Sequence, residues 1–437
     1  MTAQRRAPAA ADLGLSRTLV ADLGRHLGAR VRICGWAHEL CPATHGATVV
    51  LRDHTGLADL LLAQDIVGLV AESAIEAIGT VELTEPKGLR VAVERLEVAG
   101  PAAGPLPITG SSPREQRLDW RYLDLRSARN RLIFEVQSTA ERALRTFCHE
   151  QHCLELHSPK LRPIPNKSGD QLFAVAYFER RAYLAQSPQF YKQMAMAAGF
   201  DRVLEIGPVF RAQSDPTARH DTEFTSVDVE ISWISSHEEL MAFEEEMLRR
   251  VIAAAAAEHG EEILRWFGTE LRVPAAPFPR LTLAQAKAIV KESGRAAVSP
   301  DGDLDAEGER RVAEYVAREH GHELVFITDY PDRSRPFYHM RCESDSVATR
   351  SFDLLWKGLE ITSGAQREHR HDRLTTQAQA RGLPVELIRP YLDFFKFGCP
   401  PHGGFGLGLT RMLMSMLGVE DVREVTYLFR GPDRLTP

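Results

Sequence analysis

Apolar residues follow two different rhythms along this chain. From Val31 to about Val98 they come in short alternating or β-branched runs (VRICGWAHEL, TVVLRDHTGLADLLL, TVELTEPKGLRVAVERLEVA) cut by Gly, Pro and Asp turns. A period of two predicts half-buried strands, and this many in so little chain predicts a small all-β barrel of the OB type over residues 17–100. The stretch PAAGPLPITGSSPRE is rich in Pro, Gly and Ser and reads as a linker, placing a boundary across 101–118. Beyond it Ile133, Val136, Ala140, Ala143, Leu144 and Phe147 recur at helical spacing and predict a long amphipathic helix. Strand-like runs follow (CLELHSPKL, RAYLAQ, RVLEIGPVFRA, FTSVDVEISWI, LVFITDY, SFDLLWKGLEITSG, GGFGLGLTRM), with helices between them in no regular alternation. That order predicts an α+β domain over 119–437 built on a mainly antiparallel sheet. Within it, residues 237–325 carry helical stretches with few reactive groups and read as an insertion covering the domain. Residues 1–16, Ala-rich and aperiodic, read as a frayed tail.

Composition narrows the class. With 437 residues, 44% of them hydrophobic, the chain can bury a large core in two or three domains. A net charge of −7 argues against a protein that coats nucleic acid through bulk charge, yet leaves room for a local basic face. The six cysteines form no CxxC pair, so reduced structural thiols are expected rather than a zinc site. No stretch has the roughly 20 apolar residues of a membrane helix, and the start lacks an apolar export segment, so a cytoplasmic protein is expected.

Candidate chemistry lies in three constellations. The chain has no GxxxxGK(S/T) loop, no GxGxxG after a strand and no HExxH, so any nucleotide must sit on another scaffold. In EIGPVFRAQSDPTARHDTEFTSVDVEI, Arg211 ends a strand, Arg219 and His220 occupy a polar loop, and the returning strand carries Glu223, Phe224 and Asp228. Such a cationic hairpin can grip a polyphosphate while Phe224 stacks on a purine; by itself it reads first as a surface salt-bridge patch. Asp353, Glu360 and Ser363 offer hard oxygen ligands for Mg²⁺, although paired acids on a strand are more often solvated. Gly403, Gly404, Gly406 and Gly408 let backbone approach a ligand closely, with Arg411 at the start of the next helix. Each signal is weak alone; their order within one domain is what carries weight.

Together they resemble class II aminoacyl-tRNA synthetases, whose first motif is a long helix and strand ending here at Pro159, whose second surrounds Arg211, and whose third ends at Arg411. The strings RLDWRYLDLR, YFERRAYLAQSPQFYKQM, ITSGAQREHRHD and FGCPPHGGFGLG resemble the archaeal-type aspartyl members of that family, and GWAHEL and LRDHTG match its OB domain in order. The resemblance implies a class II antiparallel sheet flanked by helices, ATP and L-aspartate as substrates, Mg²⁺ as cofactor, tRNA(Asp) as acceptor, and a homodimer formed through the first motif. It implies that Arg211 holds the α-phosphate and the substrate carboxylate, and that Arg219, His220 and Arg411 hold the outer phosphates. Phe224, Gln213 and Gly408 would cradle the adenosine, and Asp353, Glu360 and Ser363 the metal. Gln189 and Asp228 would meet the amino group of aspartate, with Ser363 close by, and Lys192 and Arg367 its side-chain carboxylate, favouring an acid over an amide.

Several positions depart from that pattern. Lys167, Ser168 and Gly169 stand where the family has Glu-Gly-Gly over the substrate amino group, and a cation there repels an ammonium. Gln213 replaces an acid facing adenine, and Thr410 an acid beside Arg411. In the barrel, Thr48 and Asp59 fall where an aromatic and a Gln read the anticodon. His38 occupies a position tied to rejection of tRNA(Asn), so two readings stand side by side: relaxed charging of tRNA(Asn) as well, or a barrel-surface histidine. The departures also keep open a paralogue that adenylates aspartate or a related substrate outside translation, with degraded anticodon reading.

Overall fold

The structure is a computed structural model that describes residues 14–42, 46–64, 68–84, 88–163, 172–213, 217–294, 302–343 and 347–436. The chain divides into two compact units, residues 1–112 and 113–437.

The first unit holds β1 (Arg17–Thr18), β2 (Arg30–Pro42), β3 (Ala47–Arg52), β4 (Leu57–Leu62), β5 (Ala74–Thr84) and β6 (Gly88–Gly100). Their order is β1-β2-β3-β4-β6-β5, and β5 also pairs with β2, so the sheet closes on itself. Closure leaves no long open edge. Alternation does the rest: Val49 and Leu51 of β3 and Ala58, Leu60 and Leu62 of β4 turn inward onto Val31, Ile33 and Val91. At His38 the β2–β3 register slips, because Ala37 pairs with Leu51 and Glu39 with Val50. A bulge re-aims the side chain it carries. The His38 ring meets Glu72 at 3.1 Å, inside an Arg52–Glu72 ion pair of 2.6 Å. Thr48 and Asp59 lie on the outer face, opposite in parity to Val49 and Leu60.

In the second unit, α1 (Arg114–Asp119) and α2 (Arg121–Asp124) precede α3 (Ala128–Glu150). Helix α1 falls inside the stretch read as linker, since only its first part has turn composition; Leu118 is already buried. Ser127 caps α3 by accepting from the Asn130 amide at 3.3 Å. Ile133, Val136, Ala140, Leu144 and Phe147 are buried along its inner stripe, with Ala143 at the margin. Then come β7 (Leu154–Glu155), β8 (Leu161–Arg162), β9 (Ala174–Tyr177), β10 (Arg180–Leu184), α4 (Gln189–Ala197), β11 (Arg202–Phe210), β12 (Glu223–Ser232) and α5 (His237–Phe267). The remainder comprises β13 (Arg280–Thr282), α6 (Leu283–Glu292), α7 (Ala306–His320), β14 (Leu324–Thr328), β15 (Ser351–Trp356), β16 (Leu359–Gln366), α8 (His371–Ala380), α9 (Val385–Leu392), β17 (His402–Gly408), α10 (Leu409–Leu417) and α11 (Val422–Val425).

Eight strands make the main sheet in the order β13-β14-β15-β16-β17-β12-β11-β7. Its centre is antiparallel, and only the short edge strands β13 and β7 pair in parallel. Helices α3, α5 and α10 cover one face, where Val136, Leu248, Ile252, Phe405 and Leu413 share a core. Residues 237–325 are therefore not an added cover. Helix α5 supplies Leu240, Met241, Leu248 and Val251 to the main core, and β13 and β14 complete the sheet. Their apolar positions had to be placed against a sheet that no local pattern reveals.

Candidate active site

Across the uncovered face, β12, β16 and β17 run side by side, with Asp228 opposite Gly406 and Gly406 opposite Ser363. Glycine in β17 leaves room where other side chains would fill it. A Cβ on Gly404 would collide with the Val229 carbonyl and the Glu230 carboxylate, and one on Gly406 would lie 3.2 Å from Asp228 Oδ1. The space becomes a cleft of about 370 Å³. Arg211, Arg219, His220, Phe224 and Asp228 of the first constellation line it, together with Gln189 from α4. Glu360, Ser363, Arg367, Gly408 and Arg411 close the opposite side.

Glu360 and Ser363 are three apart, which in a regular strand aims them at opposite faces. A register shift between Leu354 and Leu355 passes over Ile361, because Leu355 pairs with Glu360 and Leu354 with Thr362. The bulge brings both oxygens into the same cleft. Burial and the nearby Asp353 raise the Glu360 pKa, and the Arg411 guanidinium, 3.9 Å away, opposes them. A carboxylate short of positive charge beside a hydroxyl fits a hard cation. Asp353 does not join that set. Arg335 grips both its oxygens and donates to Ser363 Oγ at 3.1 Å, so Asp353 braces the site from behind.

Cations crowd the mouth. Arg411 donates to the Glu360 carbonyl at 2.8 Å and lies 3.1 Å from His220 Nε2, which supplies the orienting partners missing at Thr410. Desolvation, then Arg411, Arg211 and Arg219, push the His220 pKa down to about 4, so the ring is neutral at physiological pH. Arg219 reaches Glu309 of α7 at 2.7 Å. Burial and Glu360 push Glu309 up to about 7. Arg211 stands over the Phe224 ring, 5.1 Å from its centroid, and desolvation and Arg411 lower its pKa. Among the described residues its guanidinium makes no hydrogen bond and no ion pair.

The floor is organised differently. Arg367 donates to Glu230 Oε1 at 3.1 Å and to the Gly404 carbonyl at 2.8 Å, and its Nη1 lies 2.9 Å from His339 Nε2. Lys192 does not line the cleft. Its ammonium is 2.9 Å from Asp228 Oδ1 and 3.3 Å from Glu230 Oε2, and it donates to the Phe405 carbonyl at 3.0 Å. It can reach a substrate only by exchanging one of those acids. Burial alone would raise Glu230, but Arg367 and Lys192 hold it low. Gln213 also stands off the cleft wall. Lys167, Ser168 and Gly169 lie outside the described residues.

Glu230, Arg335 and Glu309 were not anticipated. Glu230 was within reach, since it follows Asp228 by two on one strand and shares its face. Arg335 and Glu309 come from distant segments without a local signal.

Residues 113–430 match the family described as tRNA synthetases class II (D, K and N). The aspartate–tRNA(Asp/Asn) ligase of Methanopyrus kandleri is 43% identical over 425 residues, 94% of this chain and 96% of that protein. The aspartate–tRNA(Asp) ligase of Pyrococcus horikoshii is 40% identical over 426 residues, covering 94% and 97%. Among solved structures, asparaginyl-tRNA synthetase from Pyrococcus horikoshii complexed with asparaginyl-adenylate superposes with a TM-score of 0.89 at 28% identity, over 97% of this chain and all of that one.

Proposed function

The chain belongs to the class II tRNA synthetases of the D, K and N family, and from that premise we propose that it activates L-aspartate with ATP and transfers it to tRNA(Asp). The observation that carries the reading is one cleft that gathers Arg211, Glu360 and Arg411 from the three separate constellations around an Arg367 fork.

Attack of the aspartate carboxylate on the α-phosphate concentrates negative charge between the two substrates. Arg211, which spends no hydrogen bond on protein, is the donor free to meet it, and the low-dielectric walls strengthen that contact. Arg219, Arg411 and a neutral His220 receive the outer phosphates, and Phe224 offers its ring to adenine. Glu360 and Ser363 would hold a Mg²⁺ ion, whose contribution when bound is to neutralise phosphate charge. In this first step pyrophosphate leaves and no side chain has to remove a proton, because the attacking carboxylate is already ionised; in the transfer the ribose hydroxyl displaces AMP, whose phosphate can take up the hydroxyl proton.

Arg367 selects the side chain. A guanidinium has five N–H groups, and its partners leave a second N–H on Nη1 for a carboxylate oxygen. An amide oxygen could accept the same N–H, but the guanidinium meets an ionised carboxylate with a stronger, charge-assisted bond, and on that difference aspartate is preferred over asparagine. The Asp/Asn name of the Methanopyrus relative and the bulged His38 support tRNA(Asn) as a second acceptor. A homodimer is proposed on the first-motif resemblance alone, and a cytoplasmic location on the family; among the described residues no helix is long and apolar enough to cross a membrane.

The test is ATP–pyrophosphate exchange with aspartate, asparagine and glutamate in turn, followed by charging of tRNA(Asp) and tRNA(Asn) transcripts. Exchange with aspartate alone and charging of tRNA(Asp) are expected. Exchange with none of the three would sink the reading.

A further inference from the structure

Several large apolar side chains are exposed outside the cleft, and two of them share one hairpin. Strands β9 and β10 form a hairpin whose turn carries Phe178, 90% exposed, next to the 44% exposed Tyr177. The two rings meet edge to face, with centroids 4.9 Å apart. Phe178 has φ of 52°, a left-handed conformation that a bulky residue rarely adopts. The backbone is thus bent to hold an aromatic ring out in water, an arrangement that folding alone does not reward.

Beside the rings stand two cations. Arg180 pairs across the hairpin with Tyr177, and Arg181 with Ala176; both side chains are exposed and neither has a carboxylate partner among the described residues. Glu179 is the one acid in residues 172–184. The hairpin is anchored. Strand β10 also pairs with β8, and the Ala185 amide donates to the Lys160 carbonyl at 2.9 Å. The same strand leads straight to Gln186 and Ser187, which line the cleft. Five residues at about 3.3 Å each put Arg181 roughly 16 Å from that wall.

Exposed rings interleaved with free guanidiniums suit a single-stranded nucleic acid, because every base has a face to stack and every link a phosphate. A second copy of this chain is the competing occupant, and it fits worse where the two-fold axis passes close by, since these arginines would then face their own copies. Resting on the aminoacyl-transfer reading above, we propose that the β9–β10 hairpin is a stacking platform for the unpaired 3′ end of the acceptor RNA. Phe178 stacks on a base there, and Arg180 and Arg181 meet flanking phosphates, while the terminal nucleotide enters the cleft.

The experiment compares the full-length protein with Phe178→Ala and with the double variant Arg180→Ala, Arg181→Ala. Aspartate-dependent pyrophosphate exchange without RNA should be unchanged in both. The KM for an intact tRNA(Asp) transcript should rise roughly tenfold. The double variant should also lose about 1.4 from the slope of log affinity against log salt, the share of two single-strand phosphates. A transcript lacking its unpaired 3′ nucleotides should bind parent and variants alike. An unchanged KM, an equal loss on the shortened transcript, or a change of oligomeric mass in Phe178→Ala would each overturn the proposal, the last in favour of a contact between copies. A parent protein that exchanges aspartate but charges no transcript would remove the transfer reading and this inference with it.

Discussion

Beneath and at the floor of the cleft Lys192 and Arg367 face Asp228 and Glu230, two cations for two acids, whereas at the mouth Arg211, Arg219 and Arg411 face Glu309, Glu360 and Asp221, three acids whose pKa values burial raises. The floor is buried and saturated, and each cation is held by named oxygens. The mouth keeps a positive surplus, which adds to burial, the larger cause, in holding His220 neutral. A saturated floor recognises a small amino acid by the direction of its remaining N–H groups, and a polyanion could gain little there. An unbalanced mouth costs stability in the empty protein and returns it when phosphates arrive. The same residue types therefore serve selection at one end and charge neutralisation at the other.

If that contrast holds, removing a cation should cost stability at the floor and spare it at the mouth. The largest effect is expected for Arg367→Ala. Aspartate-dependent exchange should fall about a thousandfold, near 4 kcal/mol of barrier. Urea unfolding should show a loss of about 3–5 kcal/mol, because Glu230 keeps only Lys192. Adding Glu230→Gln should restore much of the stability and none of the activity. A stable but inactive single variant would mean that Glu230 does not need this partner.

Arg211→Ala comes next. Its kcat/KM should drop on the order of a hundredfold, about 3 kcal/mol, as for loss of one donor to a developing charge. Stability should stay within about 1 kcal/mol of the parent or rise, because the side chain makes no hydrogen bond and is repelled by Arg411. A destabilisation like that of Arg367→Ala would erase the distinction between the two ends.

The smallest effect concerns Glu309, pushed up to about 7. Below that pH it is protonated, and above it an extra negative charge faces Arg219 and the incoming phosphates. The ratio of parent to Glu309→Gln KM for ATP should be near one at pH 6 and reach about threefold at pH 8. The linkage has the same sign. Stability that Glu309 contributes below its unfolded pKa is lost as pH rises through about 7, so the variant should gain on the parent at pH 8. A ratio that does not change with pH would show that Glu309 does not set the charge of the mouth.

What could be read from the sequence was whatever repeats locally. The stripe of α3, the inward alternation of β3 and β4, and the glycine run of β17 were all visible, because a period of 3.6 or 2 already fixes which face is buried. Arg211, just past β11, and Arg411, in the helix after the glycine run, were visible from their neighbours, and Arg367, just past β16, through the family resemblance alone. Contacts set by register were not. Glu360 and Ser363 share a face only through the bulge at Ile361, Asp353 is taken by an arginine eighteen positions earlier, and Glu309 arrives from a helix ninety positions beyond Arg219. The segment 237–325 was misjudged for the same reason, because its partners are strands that precede and follow it.

The glycines of β17 also bear on how such a site can change over generations. Cavities usually gain new occupants when a large side chain shrinks, yet no residue is smaller than glycine, and at Gly404 even one carbon would strike the Val229 carbonyl and the Glu230 carboxylate. Variation in this strand runs one way, toward less space. A descendant able to accept a bulkier amino acid would have to arise by trimming the surrounding walls, at Gln189 or Ile361, while the strand beneath stays bare.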